Sequence, residues 1–326
     1  HQVDVLMLQE LLAEALGCGQ AREYAVSQTF DRRIYGVGLA GALSEYAHSL
    51  APADLASLLI GGMTKEELEE AHGEAPSSLV LAIQEPEDMA FRCLPNHIFT
   101  RDSSAWIYGG VSVHALNKRA RRRETVNMSV IYGWHPDFSG ARRWNRGLDD
   151  APAALEGGDI FVVGHGTVLI GLSERTTPQA VERLAAELFE ANEARTVVAV
   201  RIPQRRAYMH LDTILTQINP DTFLAYPGVG LLESMVLTRG AGGRLRIRTC
   251  PPRDMWSVIA EAMGLASVQV IVPDCSAVEA EREQWHDGYN VLALEPDVVI
   301  AYRHNAYAND ALRARGAKMI GSWANE

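Results

Sequence analysis

Apolar residues in this chain fall in short runs, and successive runs are split by turns rich in Gly, Asn or Pro, a spacing that predicts β-hairpins. The first pair is Ala105-Trp106-Ile107 and Val111-Ser112-Val113 around Tyr108-Gly109-Gly110. The second is Ile160-Phe161-Val162-Val163 and Thr167-Val168-Leu169-Ile170 around Gly164-His165-Gly166. A third covers residues 213–218 and 222–226 across Asn219-Pro220-Asp221, and a fourth covers 291–294 and 298–302 across Glu295-Pro296-Asp297. Helical periodicity follows two of the hairpins. One helix opens with Thr177 as N-cap and Pro178 at its first position and runs to about Ala191; the other runs from Asn309 to Arg315 and is closed by Gly316. A strand follows each helix, at residues 196–200 with Arg201 just beyond, and at 318–320. The predicted class is α/β, built from a repeated strand, strand, helix, strand unit.

Ahead of the hairpins the pattern changes. Between a strand-like opening run at residues 3–8 and a second apolar run at 78–83, also read as a strand, the spacing is helical. Helices are expected around 11–16 and 38–48, and a third is opened by the capping box Thr64-Lys65-Glu66-Glu67. Residues 10–77 are therefore predicted to form an inserted helical domain, the main body being 1–9 with 78–326. No polar constellation lies in the insertion, so its role is read as packing or oligomerisation, and a homo-oligomer is left open.

Composition narrows the function classes. With 326 residues, 47% hydrophobic and 22% charged, the chain can bury a sizeable core. Its net charge of -11 argues against general nucleic-acid binding. The basic run 118–123 could serve as a nucleic-acid or targeting patch, but its members follow a hairpin and Arg121 stands 19 positions after Asp102, so the structural reading is preferred. No apolar stretch approaches the roughly 18 residues of a membrane span, and no signal peptide is evident. Four cysteines (Cys18, Cys93, Cys250 and Cys275) lack metal-ligand spacing and are too sparse for a disulfide framework, so a cytoplasmic location is expected and the Asn127-Met128-Ser129 sequon is read as chance.

The candidate chemistry sits where the hairpins open. Asp102 precedes Arg121 by 19 positions, and Glu156 precedes Arg175 by the same 19. A hairpin returns the residue after its second strand to the side of the residue before its first, so each carboxylate should meet a guanidinium at the open end. His210 and Asp212 occupy the corresponding place before the third hairpin. A pseudosymmetric arrangement of the repeats would gather Asp102, Glu156, His210 and Asp212 around one axis, and Gly157-Gly158 would admit close backbone approach. Taken singly, an Asp at a strand entrance caps a turn and a lone His is a satisfied structural residue; recurrence in successive repeats is what points to a site. Paired acids and arginines suit a zwitterionic, cationic ligand.

Three motifs carry a resemblance to a known family. Asn96-His97-Ile98-Phe99-Thr100-Arg101-Asp102, Leu155-Glu156-Gly157-Gly158-Asp159 and Met209-His210-Leu211-Asp212-Thr213 resemble the successive active-site motifs of the arginine deiminases, and the helical insertion sets the chain apart from the dimethylarginine hydrolases and agmatine deiminases. The resemblance implies an α/β propeller with pseudo-fivefold symmetry. It implies hydrolysis of L-arginine to L-citrulline and ammonia through a thiouronium on cysteine, with neither metal nor cofactor. Asp102 and Asp212 would grip the guanidinium, and His210 would move protons with Glu156 holding its ring. Arg121, Arg175 and Asn96 would bind the α-carboxylate, Phe99 would line the pocket and Arg101 would support it.

The family's nucleophilic cysteine follows a Gly/Arg-rich loop near the C-terminus. It is expected beyond Glu326, since none of the four cysteines stands at the matching position, and the family's opening strands are expected ahead of His1. Two other classes compete. A metallohydrolase would use His210, Asp212, Asp102 and Glu156 as ligands, although one His among carboxylates matches zinc sites poorly. A catalytically inactive arginine-binding or regulatory relative would keep the gripping residues without turnover.

Overall fold

Helical spacing ahead of the first hairpin produces helices in the computed structural model, which describes residues 4–73 and 76–322. They are α1 Leu8–Leu16, α2 Gly19–Thr29, α3 Arg32–Tyr35, α4 Val37–Ser49 and α5 Pro52–Gly61, then strand β1 Met63–Thr64, α6 Lys65–His72, α7 Leu79–Ala82 and strand β2 Met89–Phe91. The predicted capping box opens α6: Thr64 Oγ1 accepts from the Glu67 amide at 3.2 Å, and Glu67 Oε2 accepts from the Thr64 amide at 2.7 Å.

Two strand expectations fail. In the run 3–8, Val3 lies outside the described residues, Asp4 to Met7 have no regular structure and Leu8 starts α1. Leu12, Ala15 and Leu16, spaced for one helix face, are buried in α1, which packs on α5. The run 78–83 becomes α7, with Ser78 as its N-cap accepting from the Leu81 amide. Leu79 and Ile83 are more than 80% exposed, so no sheet buries the run and the cap decides its conformation.

The first repeat follows with α8 Thr100–Ser103, β3 Ser104–Ile107, β4 Gly110–Val113, α9 Arg122–Trp134 and β5 Arg142–Arg146, in a sheet ordered β3-β4-β5 with β4 and β5 parallel. The spacing gives no sign of α9, because residues 124–132 are buried all round and such a helix has no polar stripe. Asn127 is among them, which closes the sequon to a glycan. Two arginines of the basic run are taken into structure: Arg121 is buried, and the Arg123 guanidinium stacks 4.1 Å over the Phe91 ring, while Lys118, Arg119 and Arg122 are exposed. Residues up to Trp106 with Gly110–Ala151 form one compact unit. Its single core joins Leu12, Leu43 and Leu59 of the helices to Val111 and Ile131 of the repeat.

Ile107–Gly109 and the residues from Pro152 on form the second unit, with a core of its own around Leu169, Phe223, Tyr289 and Val299. Its elements are β6 Ile160–Gly164, β7 Thr167–Leu172, α10 Pro178–Glu190 and β8 Thr196–Arg201, then β9 Leu215–Asn219, β10 Thr222–Ala225, β11 Ser234–Arg239, β12 Leu245–Cys250, α11 Met255–Met263 and β13 Gln269–Ile271. After α12 Ala277–Trp285 come β14 Leu292–Glu295, β15 Val298–Tyr302, α13 Ala306–Ala314 and β16 Lys318–Ser322. The helix expected from Asn309 therefore begins earlier, at Ala306.

Each hairpin here is antiparallel, and the strand after each helix runs parallel to the hairpin's second strand: β8 beside β7, β13 beside β10, β16 beside β15. The strand, strand, helix, strand unit thus occurs after all four hairpins, including the two for which the spacing shows no helix. Thr177 Oγ1 accepts from the Ala180 amide and caps α10 as expected. In the turn Gly164-His165-Gly166 all three φ angles are positive, a conformation glycine adopts without penalty. The architecture is mixed α/β. No helix among the described residues is long and apolar enough to cross a membrane.

Candidate active site

In the first unit the acid-to-arginine spacing is an ion pair. Asp102 sits in the one-turn helix α8 that leads into β3, and its Oδ2 accepts from Arg121 Nη1 at 2.8 Å. Arg121 Nε and Nη2 donate to Glu124 Oε1 and Oε2 at 3.0 and 2.8 Å, a two-pronged pair across one turn of helix. Burial alone would lower the guanidinium's pKa; the hydrogen bonds to Glu124 and Asp102 outweigh it and raise it, so Arg121 stays charged. Glu124 carries no signal in the hairpin spacing, because its role depends on where α9 begins.

The other residues predicted for this unit are less enclosed. The Asn96 carbonyl accepts from Arg121 Nη2 at 3.5 Å, while Asn96, Phe99 and Arg101 are exposed. Their backbone is tied into consecutive turns, with the Phe99 amide on the Asn96 carbonyl and the Asp102 amide on the Phe99 carbonyl. His97 is buried, and burial together with the charges of Arg121 and Arg123 pulls its pKa down to about 4, leaving a neutral imidazole.

In the second unit, Glu156 is fully buried and His210 nearly so, with His210 Nε2 2.8 Å from Glu156 Oε2. Arg175 Nη1 lies 3.4 Å from both Glu156 oxygens, its Nε donates to Glu174 Oε1 at 2.9 Å, and its Nη2 is 3.3 Å from Met209 Sδ. The second 19-residue spacing is thus an ion pair too. Asp212 Oδ1 stands 4.0 Å from His210 Nδ1, on the ring's other side. Gly158 makes this possible: a Cβ there would lie 2.6 Å from His210 Nδ1 and 2.9 Å from Asp212 Oδ2, so only glycine lets the backbone pass beneath the imidazole.

Asp159, like Glu124, is a residue of the site that hairpin spacing misses. Its buried carboxylate accepts from Ser173 Oγ at 2.7 Å, from Thr176 Oγ1 at 2.6 Å and from the Leu211 amide at 2.9 Å. Thr176 Oγ1 also accepts from the Glu156 amide. One carboxylate therefore joins the turn carrying Glu156, the loop carrying Arg175 and the segment carrying His210. The only signal available in sequence is its place three positions after Glu156 in the Gly-Gly turn.

Burial lifts the Asp159 pKa from 3.8 to about 6, against the His210 charge and the three hydrogen bonds, which pull it down. The stability of a group raised in this way is fully present below the unfolded value and is lost as pH rises through the folded one. The window therefore runs from about pH 4 to about pH 6, and at 1.36 kcal/mol per unit the loss is about 3 kcal/mol. In Asp159→Asn that contribution should vanish. The difference in urea-unfolding free energy between wild type and variant should fall across this window and level off near pH 7; a pH-independent difference would show that Asp159 does not titrate there.

In the second unit the possible metal donors are one imidazole among carboxylates, and His210 Nε2 already shares a hydrogen bond with Glu156 where a ligand would offer its lone pair.

Among solved structures, the chain is similar to a DDAH from Pseudomonas aeruginosa complexed with citrulline, at 18% identity and TM-score 0.47 over 70% of this chain and 69% of that one. It is also similar to an amidinotransferase from Microseira wollei in the saxitoxin biosynthetic pathway, at 17% identity and TM-score 0.47 over 68% and 63%. A third is the inosamine-phosphate amidinotransferase of Streptomyces griseus, at 16% identity and TM-score 0.42 over 68% and 61%. The profile described as arginine deiminase matches residues 1–326, and the chain therefore belongs to the arginine deiminase family.

Proposed function

We propose that this protein is a cytoplasmic arginine deiminase, converting L-arginine and water to L-citrulline and ammonia. The observation that carries the reading is the buried Glu156–His210 pair at 2.8 Å with the Asp212 carboxylate on the other side of the ring. A histidine so placed can hold and deliver a proton, and a neighbouring carboxylate can take hydrogen bonds from a guanidinium. In this reading Asp102 and Asp212 accept from the substrate guanidinium and fix its central carbon. A cysteine thiolate attacks that carbon, the C–N bond breaks, and His210 protonates the departing ammonia. His210 then takes a proton from water, which attacks the thiouronium; the C–S bond breaks, citrulline leaves and the thiolate is restored. Asn96, Phe99 and Arg101 complete the substrate pocket, and the repeats are blades of a pseudo-fivefold propeller, with residues 10–77 as its helical insertion.

The nucleophile of this reading is the cysteine expected after Glu326. Cys18 stands at the N-cap position of α2 without a side-chain hydrogen bond, Cys250 is buried at the end of β12, and Cys93 is exposed. The Cys275 thiol is pushed up by burial and by Glu283, Glu279 and Asp274, which disfavours a thiolate. The test is ammonia and citrulline release from arginine by the full-length protein, which should survive Ser substitution at each of these four cysteines. Loss of turnover in one of them would move the nucleophile there. Arginine binding without any turnover would instead identify an inactive arginine-binding relative.

Arg175 and Arg121 are proposed to receive the α-carboxylate. Arg175→Ala should then weaken arginine binding well beyond its effect on agmatine, which has no carboxylate, as read by inhibition constants or calorimetry. Arg121→Ala is a less clean test, because it takes the two-pronged partner from the buried Glu124, and breaking a buried pair costs about 3–5 kcal/mol of stability. Equal losses for both ligands in Arg175→Ala would give that arginine a structural role alone.

A further inference from the structure

The third repeat departs from the others. Between β10 and α11 the chain makes the extra hairpin β11–β12, which joins the second repeat's sheet in the order β12-β11-β8-β7-β6. Arg239, Arg244, Arg246 and Arg248 all lie in it, and no acidic residue occurs between Ser234 and Cys250, in a chain of net charge -11. The register brings particular side chains together. Thr238 is opposite Thr196 on β8 and Arg246 on β12, while the next same-face residue, Val236, is opposite Arg248. Helix α11 lies against this face with Val258 and Glu261, and together they line a cleft of about 290 Å³.

The polar groups of the cleft are unequally engaged. Arg248 Nη2 pairs with Glu261 Oε2 at 3.1 Å and its Nη1 lies 3.3 Å from Cys250 Sγ. Arg246 has no ion pair or side-chain hydrogen bond among the described residues, and the hydroxyls of Thr238 next to it and of Thr196 on the strand beyond have none either. A guanidinium in one row with two hydroxyls, Thr238 on the neighbouring strand and Thr196 on the strand beyond it, matches an oxyanion, since both donor types suit carboxylate or phosphate oxygens. Val236 and Val258 add an apolar wall, which favours an organic anion over a bare inorganic one. The volume limits that ligand to a small metabolite.

We infer that this cleft binds a small organic anion, with its carboxylate or phosphate group on Arg246, Thr196 and Thr238 and its aliphatic part against Val236 and Val258. The inference is independent of the proposed deiminase reaction, as none of these residues takes part in it. Calorimetric titration of the full-length protein with butyrate and with propyl phosphate tests it, acetate and inorganic phosphate serving as controls without the aliphatic part.

Saturable binding of butyrate or propyl phosphate, tighter than that of its control, is expected, and the tighter of the two identifies the head group. Arg246→Gln should weaken it about tenfold or more, the loss of a hydrogen bond to a charged group. Glu261→Gln should tighten it, because Arg248 is released from its carboxylate. Both positions are exposed, so neither change disturbs the sheet. The absence of saturable binding, affinity unchanged in Arg246→Gln, or weaker binding in Glu261→Gln would overturn the proposal.

Discussion

His210→Asn is expected to lower citrulline formation by about 10²- to 10⁴-fold, the usual contribution of a positioned general acid and base. The amide keeps a polar group against Glu156 Oε2, so the buried carboxylate is not abandoned, and Arg175 Nη1 at 3.4 Å continues to face it. What disappears is an imidazole that, in the proposed reaction, gives a proton to departing ammonia. In the proposed mechanism both half-reactions suffer, since the same ring would accept the proton of the attacking water. Steady-state turnover, with circular dichroism to confirm the fold, measures the effect. A rate within tenfold of wild type would remove His210 from the chemistry, whatever its distance from Glu156.

Asp212→Asn should reduce kcat/KM for arginine by about 10- to 150-fold, corresponding to about 1.5–3 kcal/mol for a hydrogen bond to a charged group. Asn differs from Asp by one atom but presents an N–H to a ligand that is itself all donor, so the change converts an attraction into a donor facing a donor. Asp102→Asn should act in the same direction. Its folding cost is limited, because Arg121 retains the two-pronged pair with Glu124 after losing its bond to Asp102. Near-normal citrulline production by either variant would withdraw that carboxylate from the guanidinium clamp.

The balance between local pattern and tertiary context is visible in individual elements. The four hairpins and α10 are legible in the chain because each has an amphipathic or apolar period and a turn or cap that local sterics demand. α9 is not legible, since burial on every side erases the polar stripe that periodicity depends on. The runs 3–8 and 78–83 fail for the converse reason: apolar and short, they fit strand or helix equally well, and only the absence or presence of a partner sheet decides.

The site divides along the same line. The spacing from Asp102 to Arg121 and from Glu156 to Arg175 determines their pairing by itself, because hairpin geometry converts a separation along the chain into proximity in space. The position of Gly158 beneath the His210 ring is also foreshadowed, since a Gly-Gly turn marks a place where backbone comes close. Only the tertiary structure makes Asp159 the anchor of three segments, gives Glu124 its hold on Arg121, and sets Arg246 of the extra hairpin in one row with Thr238 and Thr196. Those contacts join residues whose separation follows no repeat, and their partners are selected by burial and packing of whole elements, which no local period encodes.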